Sequence, residues 1–393
     1  MKKAVYFLVL LSFTQCKLSD SKQEMGNIAE IDVSQKYPEK EIYLQDIAKV
    51  EYIPLETNDN TLIGSFPQIV YVSDNYIIIK VLSTSDIFVF DGKGKSKFCF
   101  NNKGQSGTEY NNLSIVTFDE KAKEIFVADR YSSIPKILVY AEDGKFKRNF
   151  PLPPDLIPRE MYNFDDGTLL VYDEFGLLQN NYSNNPYLLI SKNDGSVVDT
   201  LDIHLPVRVS NRVPMEIEVD GQTMMTALTL SINNNRSSGN SFLIADWSSD
   251  TIYRLTPRKE LQPIIVRNPP VQKSEPKIIV SNELVTDKFI FLAKAVLDFE
   301  MAKKSRTFPT MSIMYDFETG QLNEYMLINR DLEKRGMGSG FDSAITPENI
   351  GVYTLEVHRL FEADKAGELK GELKQLLKTL DEDDNPILVK VKF

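Results

Sequence analysis

The chain has 393 residues, of which 42% are hydrophobic, 26% charged and 10% aromatic, so it is long and apolar enough to bury a large core and lacks the composition of a disordered chain. Its formal net charge of −11 is spread along the sequence without a cluster of Lys and Arg, which excludes the phosphate-neutralising stripe that nucleic-acid binding needs. Cys16 and Cys99 are the only cysteines, too few for a disulfide-stapled secreted scaffold.

Lys2 and Lys3 lead into the apolar run Ala4 to Phe13, which is too short to span a bilayer and reads as a signal peptide over 1–15. The run ends in Phe13-Thr14-Gln15-Cys16, similar to a lipobox in which Gln15 replaces the usual small residue; the predicted modification is lipidation of Cys16, with ordinary cleavage as the alternative. Residues 16–35 are polar and short of aromatics, as in a lipidated flexible tether, and 36–393 are expected to form one domain. No later segment reaches about eighteen uninterrupted apolar residues, so the predicted membrane contact is the lipid anchor alone, in the outer membrane and facing the periplasm or the surface.

Past residue 36 one pattern recurs. Strand-like runs meet at turns in Ile87 to Phe100 around Asp91-Gly92, Ile137 to Phe146 around Asp143-Gly144, Tyr187 to Val198 around Asp194-Gly195, and Ser312 to Leu327 around Thr319-Gly320. Thr251 to Val266 repeats the hairpin with Arg258-Lys259 in place of glycine. Cys99, within Phe98-Cys99-Phe100, is predicted to be a buried, inert thiol.

Ahead of each hairpin stands another apolar strand ending in an ionisable residue: Lys80, Asp129, Asp173, Asp246, Lys294 and Glu356. Their separations fit a repeat of about 40 to 50 residues with insertions, the length of a four-stranded propeller blade. The fold class is therefore all-β: a six-bladed β-propeller with four-stranded antiparallel blades, its ring closed by a terminal strand from Ile42 to Leu55 or Ile387 to Phe393. One amphipathic helix is predicted over about 362–380, where Leu369, Leu373, Leu376, Leu377 and Leu380 trace one face.

Three segments carry a family likeness: Tyr52-Ile53-Pro54-Leu55-Glu56-Thr57 with Leu62-Ile63-Gly64, then Gly104-Gln105-Ser106-Gly107-Thr108-Glu109-Tyr110, and Asp383-Asp384-Asn385-Pro386-Ile387-Leu388. With these the chain resembles the six-bladed β-propeller lipoproteins of Gram-negative anaerobes, which are NHL-repeat-like in shape. The resemblance implies export and six blades, and brings no activity, cofactor or catalytic residue. Ser106-Gly107 departs from the family's Gly-Pro pair, and the 104–110 segment is read as a loop crossing between blades, with Glu109 as a ligand contact the alternative.

On a propeller the six aligned residues fall at equivalent strand ends around one mouth of the central channel. With Arg130, Glu174 and Trp247 beside them, they are the candidate ligand contacts; the competing reading is that each carboxylate holds the backbone of its own turn. His204 and His358 stand alone, so no metal is assigned, and no cofactor; calcium would suit converging carboxylates, but no EF-hand spacing occurs. Neither a nucleophile elbow nor a phosphate-cradling glycine loop is present. The expected function is thus a non-catalytic binding or scaffolding propeller of the cell envelope for a glycan, peptide or protein, with a carboxylate-based, calcium-assisted hydrolase or lyase as the alternative.

Overall fold

The computed structural model describes residues 28–393 apart from 131, 133, 154–155, 174–183, 211, 220, 231–234, 240, 306 and 333–339. Cys16 and Glu174 lie outside the described residues.

Six small antiparallel sheets stand in a ring. Blade 1 runs Pro67–Val72, Tyr76–Val81, Asp86–Asp91, Ser96–Phe100, and blade 2 Ile115–Asp119, Glu124–Asp129, Lys136–Ala141, Phe146–Pro151. Blade 3 runs Pro158–Asn163, Thr168–Asp173, Tyr187–Ser191, Val197–Thr200, and blade 4 Asn235–Ser238, Ser241–Ile244, Thr251–Leu255, Leu261–Asn268. Blade 5 is Ile278–Val285, Phe289–Val296, Thr310–Asp316, Leu322–Ile328. Blade 6 pairs Ile350–Leu355 with Ile387–Lys392 and then with Lys49–Pro54, and 341–346 takes its inner position, Asp342 N–H reaching Val352 O at 2.8 Å. A strand from the start of the chain therefore completes the last blade, as the terminal segments predict.

The second strands read as continuous apolar runs because both of their faces are buried. Tyr76 and Ile78 pack toward blade 2 with Val116, Phe118, Ile125 and Val127, while Ile77, Ile79 and Val81 pack toward blade 6 with Val352 and Leu388. The same alternation fills the remaining interfaces between successive blades. Residues on one strand thus belong in turn to two separate cores, and no blade has a solvated face to spare.

The turns follow the predicted hairpins. Gly144, Gly195 and Gly320 have φ of 80°, 75° and 68°, and Lys259 takes 65° where no glycine is available. In the first hairpin the positive φ falls on Gly94 rather than Gly92, two residues later than the sequence pattern suggests.

Three expectations change. The stretch assigned to a tether enters the fold early: Ala29–Asp32 adds a parallel fifth strand outside Leu261–Asn268, burying Ala29 and Ile31. Glu39–Tyr43 does the same outside Leu322–Ile328. The helix over 362–380 is two helices, Val357–Lys365 and Gly371–Leu377, because Gly367 (φ 73°) ends the first and Gly371 lies so close to Asp331 that a Cβ there would sit 2.0 Å from its Oδ1. Their shared apolar face, with Leu360, Leu369, Leu373 and Leu377, still lies on Ile387 of blade 6 as its periodicity demands. Cys99 is exposed, because the outer strand Ser96–Phe100 has no further blade to cover it; its thiol is nonetheless pushed up to about 11 by local desolvation and by Asp86. No described helix is long and apolar enough to cross a membrane.

Leu388, fully buried on the strand that joins the two chain ends, tests this closure: Leu388→Ala is expected to lower unfolding free energy by about 2–5 kcal/mol in denaturant titration. A loss below about 1 kcal/mol would mean that the closing blade contributes little to the ring.

Candidate functional site

Each inner strand starts at the same end of the ring where the second strands finish, and there the channel opens into a cavity of about 460 Å³. Four blades supply its walls: Gln68 and Lys80 from blade 1, Ser114 and Val116 at the start of blade 2, Arg159, Glu160 and Tyr162 from blade 3, Asp342, Ser343 and Ile345 from blade 6. Leu230, leading into blade 4, completes it.

Of the predicted contacts that the structure describes, Lys80 alone lines this cavity, and strand parity explains why. Asp129, Asp173, Asp246 and Lys294 continue the faces that pack against the preceding blade, in line with Val127, Val171, Ile244 and Leu292. Lys80 continues the Tyr76 and Ile78 face toward the following blade. In register it is Val81, opposite the first residue of the third strand, that matches Asp129 opposite Lys136. A one-residue slip in aligning the repeats moves a side chain to the other face.

Among the aspartates only Asp246 holds its own turn, while Asp129 and Asp173 bond backbone in the crossings ahead of their blades. Asp129 is fully buried and its Oδ2 accepts Asn111 N–H at 3.2 Å; Asp173 Oδ1 accepts Ile157 N–H at 3.0 Å; Asp246 Oδ1 accepts Ser248 N–H at 2.8 Å. Asn111 and Ile157 lie in the crossings that lead into inner strands, so these carboxylates fix where the inner strands start. Lys294 Nζ donates to Gln35 O at 3.1 Å, and Arg130 Nη1 to Pro158 O at 3.2 Å. Glu356 stands at the head of the helix Val357–Lys365, its carbonyl accepting Arg359 and Leu360 N–H. Trp247, 3% exposed, packs with Leu230, Val271 and Ile279, and the Arg159 guanidinium lies 5.1 Å from its ring centre. The 104–110 loop is likewise closed on itself: Glu109 Oε2 accepts Ser106 N–H at 2.9 Å, and Tyr110, fully buried, donates to Ser85 O at 2.8 Å. His204 and His358 are exposed.

Arg159, Glu160 and Asp342 were not foreseen. The signal was available: they stand at the starts of inner strands, the segments that must line a propeller's channel, whereas the alignment of second strands selects the layer behind. Glu160 is held from behind, its Oε2 accepting Asn235 Nδ2 at 2.6 Å and Tyr162 Oη–H at 3.1 Å. Tyr187 Oη bridges Asn235 Oδ1 (3.0 Å) and Asp246 Oδ2 (3.1 Å), so the turn carboxylate Asp246 is linked to the cavity through two residues.

Burial controls the electrostatics. Desolvation lowers Lys80 to about 8, and among the described residues its Nζ bonds only the carbonyl of Ser114. Desolvation raises Asp342 to about 6, opposed by the nearby Arg236. Arg236, 3% exposed, bonds the carbonyl of Glu283, while its Nε and Nη2 have no partner among the described residues. Glu283 is raised by burial even though Tyr325 Oη donates to it at 2.6 Å. Among the described residues no three His, Cys, Asp or Glu side chains gather as a metal would require.

Lys80 thus costs stability while charged. Its folded value of about 8 lies below the ordinary 10.5, so the cost is fully present below pH 8 and fades as the pH climbs toward 10.5. Lys80→Met is expected to raise stability at pH 7 by about 1–2 kcal/mol, discounted for partial exposure, with the gain vanishing near pH 10.5 in thermal unfolding across that range. An unchanged or lowered stability at pH 7 would contradict the burial cost.

A family model described as "Domain of unknown function (DUF4934)" matches residues 28–392. No curated protein matches the chain. A solved structure from Bacteroides fragilis, named as an exported protein, is similar over 93% of this chain and 99% of its own, with 17% identity and a TM-score of 0.64. More distant likenesses are a DUF4221 family member from Bacteroides vulgatus (10% identity, 72% of this chain, 89% of its own, TM-score 0.43) and a catalytically inactive virginiamycin B lyase from Staphylococcus aureus with quinupristin (14%, 88%, 99%, 0.39). At 17% identity the likeness to the Bacteroides fragilis structure shows the fold alone.

Proposed function

The chain belongs to the DUF4934 family, whose description assigns no activity, and for this member we propose a binding role: an exported propeller, lipid-anchored through Cys16, that holds a glycan or peptide ligand in its central cavity without turning it over. The observation that supports it is the make-up of the cavity. About 460 Å³ of space with a mixed polar and apolar lining carries two cations, Lys80 and Arg159, and two carboxylates, Glu160 and Asp342, drawn from three blades. Polar groups converging on one concave space are what fix the orientation of a small ligand. Glu160 is locked by Tyr162 and Asn235 and Arg159 is stacked on Trp247, so little side-chain entropy is left to lose on binding.

A second reading, a hydrolase or lyase acting through carboxylates, rests on Asp342 and Lys80, whose values of about 6 and about 8 let one cavity offer both an acid and a base near neutral pH. Titration calorimetry of the purified protein against short peptides and oligosaccharides separates the two. Binding that Arg159→Ala weakens at least tenfold, with ligand recovered intact, is the expected result. Consumption of ligand that stops in Asp342→Asn would replace binding with catalysis.

A further inference from the structure

Lys80 and Gln68 stand directly opposite each other on neighbouring strands of blade 1, so their side chains share one face, and both line the cavity. Beyond the Ser114 carbonyl, Lys80 has no partner among the described residues, and it pairs with no acid there; the Gln68 amide has no partner among them either. The hydroxyl of Ser114, the residue whose carbonyl holds Lys80, is buried with no partner. By contrast the carboxylates across the cavity are engaged: Glu160 by Asn235 and Tyr162, Asp342 facing Arg236. One wall is therefore rich in unused donors around an uncompensated cation. A desolvated cation is costly unless an anion meets it, and nothing in the described chain does.

We infer that the blade 1 wall of the cavity is a carboxylate subsite, in which Lys80 Nζ and the Gln68 amide receive a carboxylate group of a small ligand. This rests on the binding role proposed above and names the group that is bound. The charge balance selects a monoanion. The lining side chains include two carboxylates, Glu160 and Asp342, whose repulsion a doubly charged phosphate would meet, whereas a single carboxylate answers the amine of Lys80, which pairs with no acid among the described residues. The carboxylate comes either from a peptide C-terminus or from an acidic sugar.

Two matched pairs of probes, each with one carboxylate present or neutralised, distinguish the sources: trialanine against trialanine amide, and galacturonate against its methyl ester, titrated into the purified protein by calorimetry. The acidic member of one pair is expected to bind at least tenfold more tightly than its neutral partner, and the pair that shows this identifies the source. Lys80→Met should remove that preference, and Gln68→Ala should weaken the acid several-fold. Thermal unfolding confirms that both variants are folded. Equal affinity for acid and neutral probes, or an acid preference that survives Lys80→Met, overturns the subsite; if Arg159→Ala still abolishes that binding, the cavity remains a binding site of different chemistry. Failure of all four probes to bind overturns the binding role along with the subsite.

Discussion

Every blade of this ring is a sheet with two apolar faces, and a sheet of that kind is stable only when both neighbours are present. Ile77 and Ile78 are adjacent in sequence yet serve different cores, one shared with the last blade and one with the second. The structure depends on this mutual burial around a closed circle. It explains why second strands such as Tyr-Ile-Ile-Ile and Glu-Ile-Phe-Val carry no polar alternation, and why Lys49–Pro54 has to return to Ile387–Lys392. An open ring would expose a whole apolar face at each end.

The mouth of the channel inherits its chemistry from that arrangement. Strand ends are the only places where the apolar alternation can stop, so ionisable residues collect there. Whether one of them meets ligand or backbone is decided by parity: an odd or even place in the strand sends it toward one neighbouring blade or the other. Asp129 and Asp173 fall on the side where crossings into the inner strands need their N–H groups met, and Lys80 falls on the other, beside open space. The inner strands then supply the charges that face the cavity, with a supporting layer of Tyr187, Asn235 and Asp246 behind Glu160.

Much of this was legible in the sequence. Six blades, their hairpins and the terminal closure follow from apolar runs and turn residues, because those patterns depend only on local periodicity and on which faces are covered. The site was legible only in part. Second strands are the most apolar and so the easiest to align, but the cavity is lined by inner strands such as Pro158–Asn163, whose residues Arg159, Glu160 and Tyr162 give no such pattern. Lys80 was found although its alignment was one residue out. Cys99 was misjudged because its aromatic neighbours suggest burial, whereas the outermost strand of a blade has one side left open to water. Apolar periodicity runs on across Gly367 and Gly371, where positive φ divides the expected single helix into two. The strand Ala29–Asp32 was missed because four residues in a polar stretch carry too little periodicity to register.

The three N-terminal strands reach their places by lying along the rims of blades 4 and 5 before filling the outer position of blade 6. Their partners are all encoded far downstream, in Leu261–Asn268, Leu322–Ile328 and Ile387–Lys392. A ribosome makes the opening segment first, yet its strands have nothing to pair with until blades 4 and 5 have emerged, and Lys49–Pro54 must wait for the closing residues. Blades 1 to 3 are built from contiguous hairpins and can assemble during synthesis, while the leading strands wait unpaired for their downstream partners, the third of them for the tail itself.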